Sequence, residues 1–225
     1  MLASQTVDLG AFTGTPDQFA PPSFHDPRFR GLLAEDDWLT LSEEVRKRFS
    51  RKLGRGQSTI YHGRTLELRM GWAGRLLAGL SRLIGGPLPI NCDEGGAATV
   101  VVTMEPESGG QVWTRLYVRS RGFPQVIHSA KRFAGPTGLE EHIGYGIGMT
   151  LRLSTDADGL IFTSERYFAT LLGHRVYLPS WLTPGRLVVR HEPHGRHAFC
   201  FGLQITHWAL GELVHQVCIF EEAGS

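Results

Sequence analysis

From Ala97 onward, apolar and polar residues alternate with a period of two, and turn-forming residues interrupt the alternation at short intervals. The segments Thr99–Met104, Gln111–Arg119, Pro124–Ala130, Gly146–Ser154, Leu160–Phe168, Arg186–His191, His197–His207 and Glu212–Phe220 each read as a strand. Their separators, Pro106–Gly110, Arg121–Gly122, Asp156–Gly159 and Pro193–Gly195, carry turn chemistry, with Asp158-Gly159 the clearest hairpin signal. Joins this short permit antiparallel pairing only, because parallel neighbours need long crossovers. A meander of about eight such strands curls into a barrel or half-barrel, which removes its open edges. The prediction is an α+β fold: a strongly curved antiparallel sheet with N-terminal helices packed against it.

Upstream the pattern is different. Residues 1–37 read as an irregular lead-in, since Pro16, Pro21, Pro22 and Pro27 prevent continuous helix while Phe19, Phe24 and Phe29 offer anchors for the body. Residues 38–225 read as one α+β domain. Thr40 and Glu43 have capping-box spacing, with Leu41, Val45 and Phe49 on one helical face. Lys47, Arg48, Arg51 and Lys52 then load the helix end, where cations complement the dipole and are expected to be solvated. Ser58–Met70 reads as a strand. Trp72–Ile84 reads as a second helix, with Trp72, Leu76, Leu80 and Leu83 on the side expected to pack against the sheet.

Candidate chemistry comes from the strand faces. On Val112–Arg119, one face (Val112, Thr114, Leu116, Val118) is aliphatic and suits a core, whereas the other carries Trp113, Arg115, Tyr117 and Arg119. Leu160, Phe162, Ser164, Arg166 and Phe168 alternate in a similarly mixed way. Such faces suit a pocket for an apolar body with a polar or anionic head, with Trp113, Arg115, Tyr117, Phe162 and Arg166 as the expected ligand-binding residues. Outward side chains covering the sheet with their stems and rings would produce the same pattern. Acid–base candidates are Glu141, His142 and Glu165.

Composition narrows the classes. Lys+Arg is 23 against Asp+Glu 22, a balance that does not recruit nucleic acid. The apolar run from Trp72 to Ile90 is broken by arginines and by Gly85-Gly86-Pro87, so no membrane span is expected. Three cysteines (Cys92, Cys200, Cys218) without CxxC spacing read as buried thiols, and with no secretory leader they point to the cytoplasm. His191, His194 and His197 cluster at a hairpin tip in a way that does not converge on a metal, and no cofactor is expected. His207 and His215 could face each other across the last hairpin. Gly144-Tyr145-Gly146-Ile147-Gly148 precedes a strand, not a helix, so it reads as a bend instead of a phosphate loop.

An ordered set of short motifs is similar to the bacterial DUF4166 family. The set comprises Val112-Trp113-Thr114-Arg115, Gly122-Phe123, Ser129, Gly138-Leu139-Glu140-Glu141, Gly144, Gly173, Leu178–Pro184 and Gly211-Glu212-Leu213-Val214. The resemblance runs over about residues 41–222, with His142, Tyr145 and His215 standing where the family pattern has arginine, proline and tyrosine. It implies no activity. It does imply a module found alone or joined to NAD(P)-binding dehydrogenase-like domains. The expected function is therefore binding of a small apolar or amphipathic molecule in the sheet's concavity. The rivals are an acid–base enzyme in the same cavity and a module docking on a dehydrogenase-like partner through Leu178–Pro184.

Overall fold

Alternation along the strands becomes a wall when each strand has a lumenal and an external face. The computed structural model describes residues 26–90, 94–157, 159–195 and 197–223. Helices α1 (Glu35–Thr40) and α2 (Glu43–Phe49) precede β1 (Ser58–Met70), and α3 (Trp72–Leu80) continues as a 3-10 turn over Ser81–Ile84. Then follow β2 (Ala97–Met104), β3 (Gln111–Tyr117), β4 (Gln125–Arg132), β5 (Glu140–Gly144) and β6 (Ile147–Asp156). The chain ends with β7 (Gly159–Leu171), β8 (His174–Tyr177), β9 (Arg186–His194), β10 (Ala198–His207) and β11 (Gly211–Glu222).

Neighbouring strands pair antiparallel from β1 to β7, the ring continues through β9, β10 and β11, and β11 pairs back with β1. The sheet is thus a closed barrel, with β8 attached only to β7. Two strands escape the period-two reading. Strand β5 begins with Glu140-Glu141, which sequence reasoning takes for a turn, and β8 is four residues long. The β6–β7 hairpin closes where Asp156 pairs with Gly159; Asp158 lies outside the described residues, as do Phe19, Phe24 and Cys92.

One end of the barrel is plugged. Phe29, Trp38, Leu41, Val45 and Phe49 are all buried there. The α2 helix starts two residues later than the capping-box spacing predicts: Ser42, not Thr40, is the N-cap, its Oγ accepting from Val45 N at 3.3 Å. Thr40 instead ends α1, donating to the Asp37 carbonyl. The basic run is not merely solvated. The Arg48 guanidinium lies 3.7 Å over the Phe199 ring, and Arg51 pairs with Glu222 at 2.6 Å, fastening the plug to the wall.

The opposite end is crossed by α3. Gly74 sits so close to β11 that a Cβ there would lie 1.9 Å from the Leu213 carbonyl oxygen, so only glycine lets the helix start this near the wall. The 3-10 turn ends beside the Gly144-Tyr145-Gly146 turn between β5 and β6, on the far side of the ring from β1 and β11. All three residues of that turn have positive φ, so the glycines make a tight hairpin turn and not a bend within one strand. The stripe Trp72, Leu76, Leu80 and Leu83 faces away from the barrel, reversing the packing expected from its apolar character. The small residues Gly74, Ala78 and Ser81 form the buried side because they allow the closest approach.

Candidate functional site

The lumen is filled in layers from the plug towards the mouth. Nearest the plug, His191 is ringed by Phe49, Trp113, Phe162, Phe199 and Phe201, with centroids 5.1–5.8 Å away. Burial first, then the nearby Arg48, Lys131 and Arg115 charges, drive its imidazole well below the ordinary histidine range, so the ring is neutral. The other two members of that histidine cluster, His194 and His197, are exposed, so the three do not converge. Among the described residues no group of His, Cys, Asp and Glu is arranged to hold a metal ion.

Above the rings lies a buried ionic layer built across β3, β4 and β5. Lys131 and Glu141 are direct cross-strand partners, with Nζ 3.2 Å from Oε2. Arg115 donates to Ser129 Oγ at 3.0 Å and lies 3.9 Å from Glu141 Oε1. Burial works to raise the Glu141 carboxyl, but the Lys131 and Arg115 charges outweigh it and hold the group below the usual carboxylate range. Glu141 is therefore ionised. The same burial pulls the Lys131 ammonium down against the attraction of Glu141.

Beyond this layer the lumen opens into a cavity of about 270 Å³. Arg115, Ser129 and Glu141 meet its floor, Met149, Leu187, Leu203 and Ile205 line its wall, and Leu77, Ser81 and Ile84 of the lid roof it. Tyr117 and Tyr167 add two phenols. Burial pushes the Tyr167 hydroxyl up to about 12 against the opposing pull of Ser164, and among the described residues its oxygen has no partner at hydrogen-bond geometry. It stays protonated and has a donor to offer.

The wall is slit on one side of this cavity. Strand β7 pairs with β9 only over Leu160–Thr163 and turns to β8 from Phe168 onward. Segment 178–185 occupies the gap, and Ser164 Oγ accepts from Leu187 N at 2.9 Å at its lower end.

The residues expected to bind ligand are dispersed by this arrangement. Arg115 and Tyr117 line the cavity. Trp113 is lumenal but lies in the ring layer, its indole N–H donating to Gln111 Oε1 at 3.1 Å. Phe162 packs against Phe29, Phe49 and Lys131 near the plug. Arg166 is outside: its guanidinium lies 3.7 Å over Tyr177, bordering an open groove along the slit. The cause is a register shift, since Thr150 pairs with Arg166 while Leu151 pairs with Ser164, so Glu165 is the extra residue of a bulge. Past it the faces exchange, and Tyr167 takes the inward position.

Of the acid–base candidates, only Glu141 reaches the cavity. His142 points to the outer layer, 3.1 Å from Glu140, which Arg175 also holds. Glu165 is external and paired with Arg152. Sequence reasoning assigned no site role to Lys131, Ser129 or Tyr167. The Lys131–Glu141 pair left no local signal because β4 and β5 are joined by a loop whose length conceals the register. Other histidines and cysteines stand apart: His215 faces Glu67 and Glu212 while His207 lies against Trp208, and Cys200 and Cys218 lie on opposite faces of adjacent strands and form no disulfide with each other.

Fold and site together define a closed antiparallel β-barrel, plugged by helices at one end and holding a lidded apolar cavity with an ionic floor at the other. The family model for "Domain of unknown function (DUF4166)" matches residues 41–220, and the chain belongs to that family. No curated protein matches the chain, and no solved structure does. Among the described residues no helix is long and apolar enough to cross a membrane.

Proposed function

We propose that the protein binds one small amphipathic molecule in the barrel cavity, with its apolar body against the lid and wall and an anionic head on Arg115. The observation that carries this reading is the ionic floor of an otherwise apolar chamber. Two cations, Arg115 and Lys131, share one carboxylate, Glu141, and Lys131 is its nearer partner. That leaves the Arg115 guanidinium, a planar fork of donors, as the charge a ligand carboxylate, sulfonate or phosphate would complete. The Tyr167 hydroxyl supplies a further donor. Within this reading Tyr117 contacts the ligand, Trp113 and Phe162 support the floor from below, and Arg166 borders the outer groove.

The acid–base alternative has less behind it, because the one candidate carboxylate in the cavity is already ionised and paired. Docking on a dehydrogenase-like partner through Leu178–Pro184 accords with the exposure of Trp181, but leaves the chamber behind that segment without a role.

Calorimetric titration with dodecanoate and with dodecanol tests the proposal. Dodecanoate should bind the wild type. Arg115→Leu should weaken it by about tenfold to a hundredfold, the worth of one charged hydrogen-bonded contact, and leave dodecanol little changed. Absence of binding by either probe, or equal loss of both in a variant that keeps its melting temperature, would overturn it.

A further inference from the structure

The mouth of the barrel differs from the rest of the surface. Among the described residues, all the large apolar side chains that are at least half exposed, Leu39 excepted, sit at the mouth end. Three of the five tryptophans are among them: Trp72 at 72%, Trp181 at 69% and Trp208 at 77% exposure, with Tyr145 at 79%. They come from four separate connections, α3, the β5–β6 turn, the β8–β9 segment and the β10–β11 turn, which the antiparallel order brings to one end. The outer stripe of the lid adds Leu76, Leu80 and Leu83, the last at 80% exposure with no covering partner among the described residues. A stability argument cannot explain this concentration, since an apolar patch of such extent on a monomer marks an interaction surface.

Charge identifies the occupant. The described mouth residues 71–90, 94–96, 118–124, 145–146, 172–173, 178–185 and 208–210 include Arg75, Arg82, Arg119 and Arg121 against one carboxylate, Glu94. Two further carboxylates, Glu67 and Glu212, lie on the strands and are engaged by Arg69 and His215. Over the whole chain the charges balance, so the mouth is a local cationic, aromatic face on a nearly neutral molecule. Tryptophan and tyrosine favour the headgroup region of a bilayer, leucines reach past it, and arginines favour an anionic leaflet. The patch also continues into the cavity: α3 carries exposed leucines on its outer side and cavity-lining Leu77 and Ile84 on its inner side.

We infer that the barrel docks mouth-down on an anionic membrane surface, with α3 lying in the interface, and exchanges its amphipathic ligand with the bilayer through that end. The exchange rests on the binding reading above; the docking stands on the surface alone. Contact with lipid gives the outer stripe of α3 the apolar environment that water denies it. The helix can then move outward without exposing its inner face to water, which opens the chamber directly into the source of an apolar ligand.

Vesicle co-sedimentation and tryptophan fluorescence test this with the full chain. Vesicles of phosphatidylcholine mixed with phosphatidylglycerol should pellet the protein and shift its emission to the blue, and brominated acyl chains should quench that emission. Phosphatidylcholine alone should bind much more weakly. Combining Trp72→Ser, Leu76→Ser and Leu83→Ser should abolish sedimentation while retaining dodecanoate binding, and Arg75→Gln with Arg82→Gln should weaken it by about tenfold. Arg115→Leu should sediment as the wild type does, which separates failure of the pocket from failure of the docking. The inference is overturned if no vesicle binds, if neutral vesicles bind equally well, or if sedimentation velocity finds a stable dimer whose formation shields Trp72 from aqueous quencher.

Discussion

The two ends of this barrel are built from the same strands but serve different purposes. At the plug, Phe29, Phe49, Phe162 and Phe199 surround a neutral histidine, and Arg51–Glu222 and Arg132–Glu105 tie loops and strands together around them. At the mouth, the same ring of strands encloses an aliphatic void roofed by a helix whose outer leucines meet solvent. The plug end gathers its rings into mutual contact, and dense packing of that kind is where a fold's stability concentrates. The mouth end leaves its lining without partners on one side. That forfeits dispersion energy and leaves a space a ligand can fill.

The largest effect should come from attacking this asymmetry directly. Phe49→Ala removes a ring packed against Phe29, Phe162 and His191 and should cost about 3–5 kcal/mol in denaturant unfolding. Leu77→Ala, whose side chain already borders the cavity, should cost under about 2 kcal/mol by the same measurement. Equal losses would mean that the mouth contributes to stability as the plug does.

A smaller effect is expected at the ionic layer that separates the two halves. Lys131→Met leaves the buried Glu141 carboxylate with the more distant Arg115 as its nearby cation and should cost roughly 3 kcal/mol. Adding Glu141→Gln should restore most of that, because an apolar and a neutral group replace a broken pair. A double variant no better than the single one would show that the pair does more than cancel its own charges.

The smallest concerns pH. His191 is held neutral in the fold and takes up a proton freely when unfolded, so the unfolded chain binds more protons below the ordinary histidine value. Stability contributed by keeping the ring neutral is present above about pH 6.5 and is lost as pH falls below it, down to the depressed folded value, with a slope approaching about 1.4 kcal/mol per pH unit. His191→Phe, placed among five rings where Nδ1 makes no hydrogen bond, should remove that slope from unfolding curves measured between neutral and mildly acidic pH. An unchanged slope would place the acid sensitivity elsewhere, with His142 the next group to replace, since burial lowers it too.

Much of the wall was legible in the chain because a closed barrel repeats one constraint on every strand. Phe199, Phe201 and Ile205 of β10 occupy alternate positions and all reach the lumen. On β3 the alternation was equally clear, yet which face turned inward was not. The aliphatic face of Val112, Leu116 and Val118 is the outer one, while Trp113 and Tyr117 enter the lumen opposite the small cross-strand partners Ser129 and Ala98. Closure of the barrel decided which face is lumenal, and local hydropathy carries no record of that.

By itself the sequence determined the period-two strands, their antiparallel sense, N-terminal helices packed against the sheet and the presence of Arg115 and Tyr117 on one face. These follow from neighbours within a few residues, where backbone geometry and turn chemistry act. Only the tertiary structure decided that the bulge at Glu165 turns Arg166 out and Tyr167 in, that Lys131 meets Glu141 across β4 and β5, and that α3 presents its leucines to solvent. Each of these depends on strand register or on how closely two backbones can approach. Such relations join residues far apart in the chain, and they are set when the barrel closes.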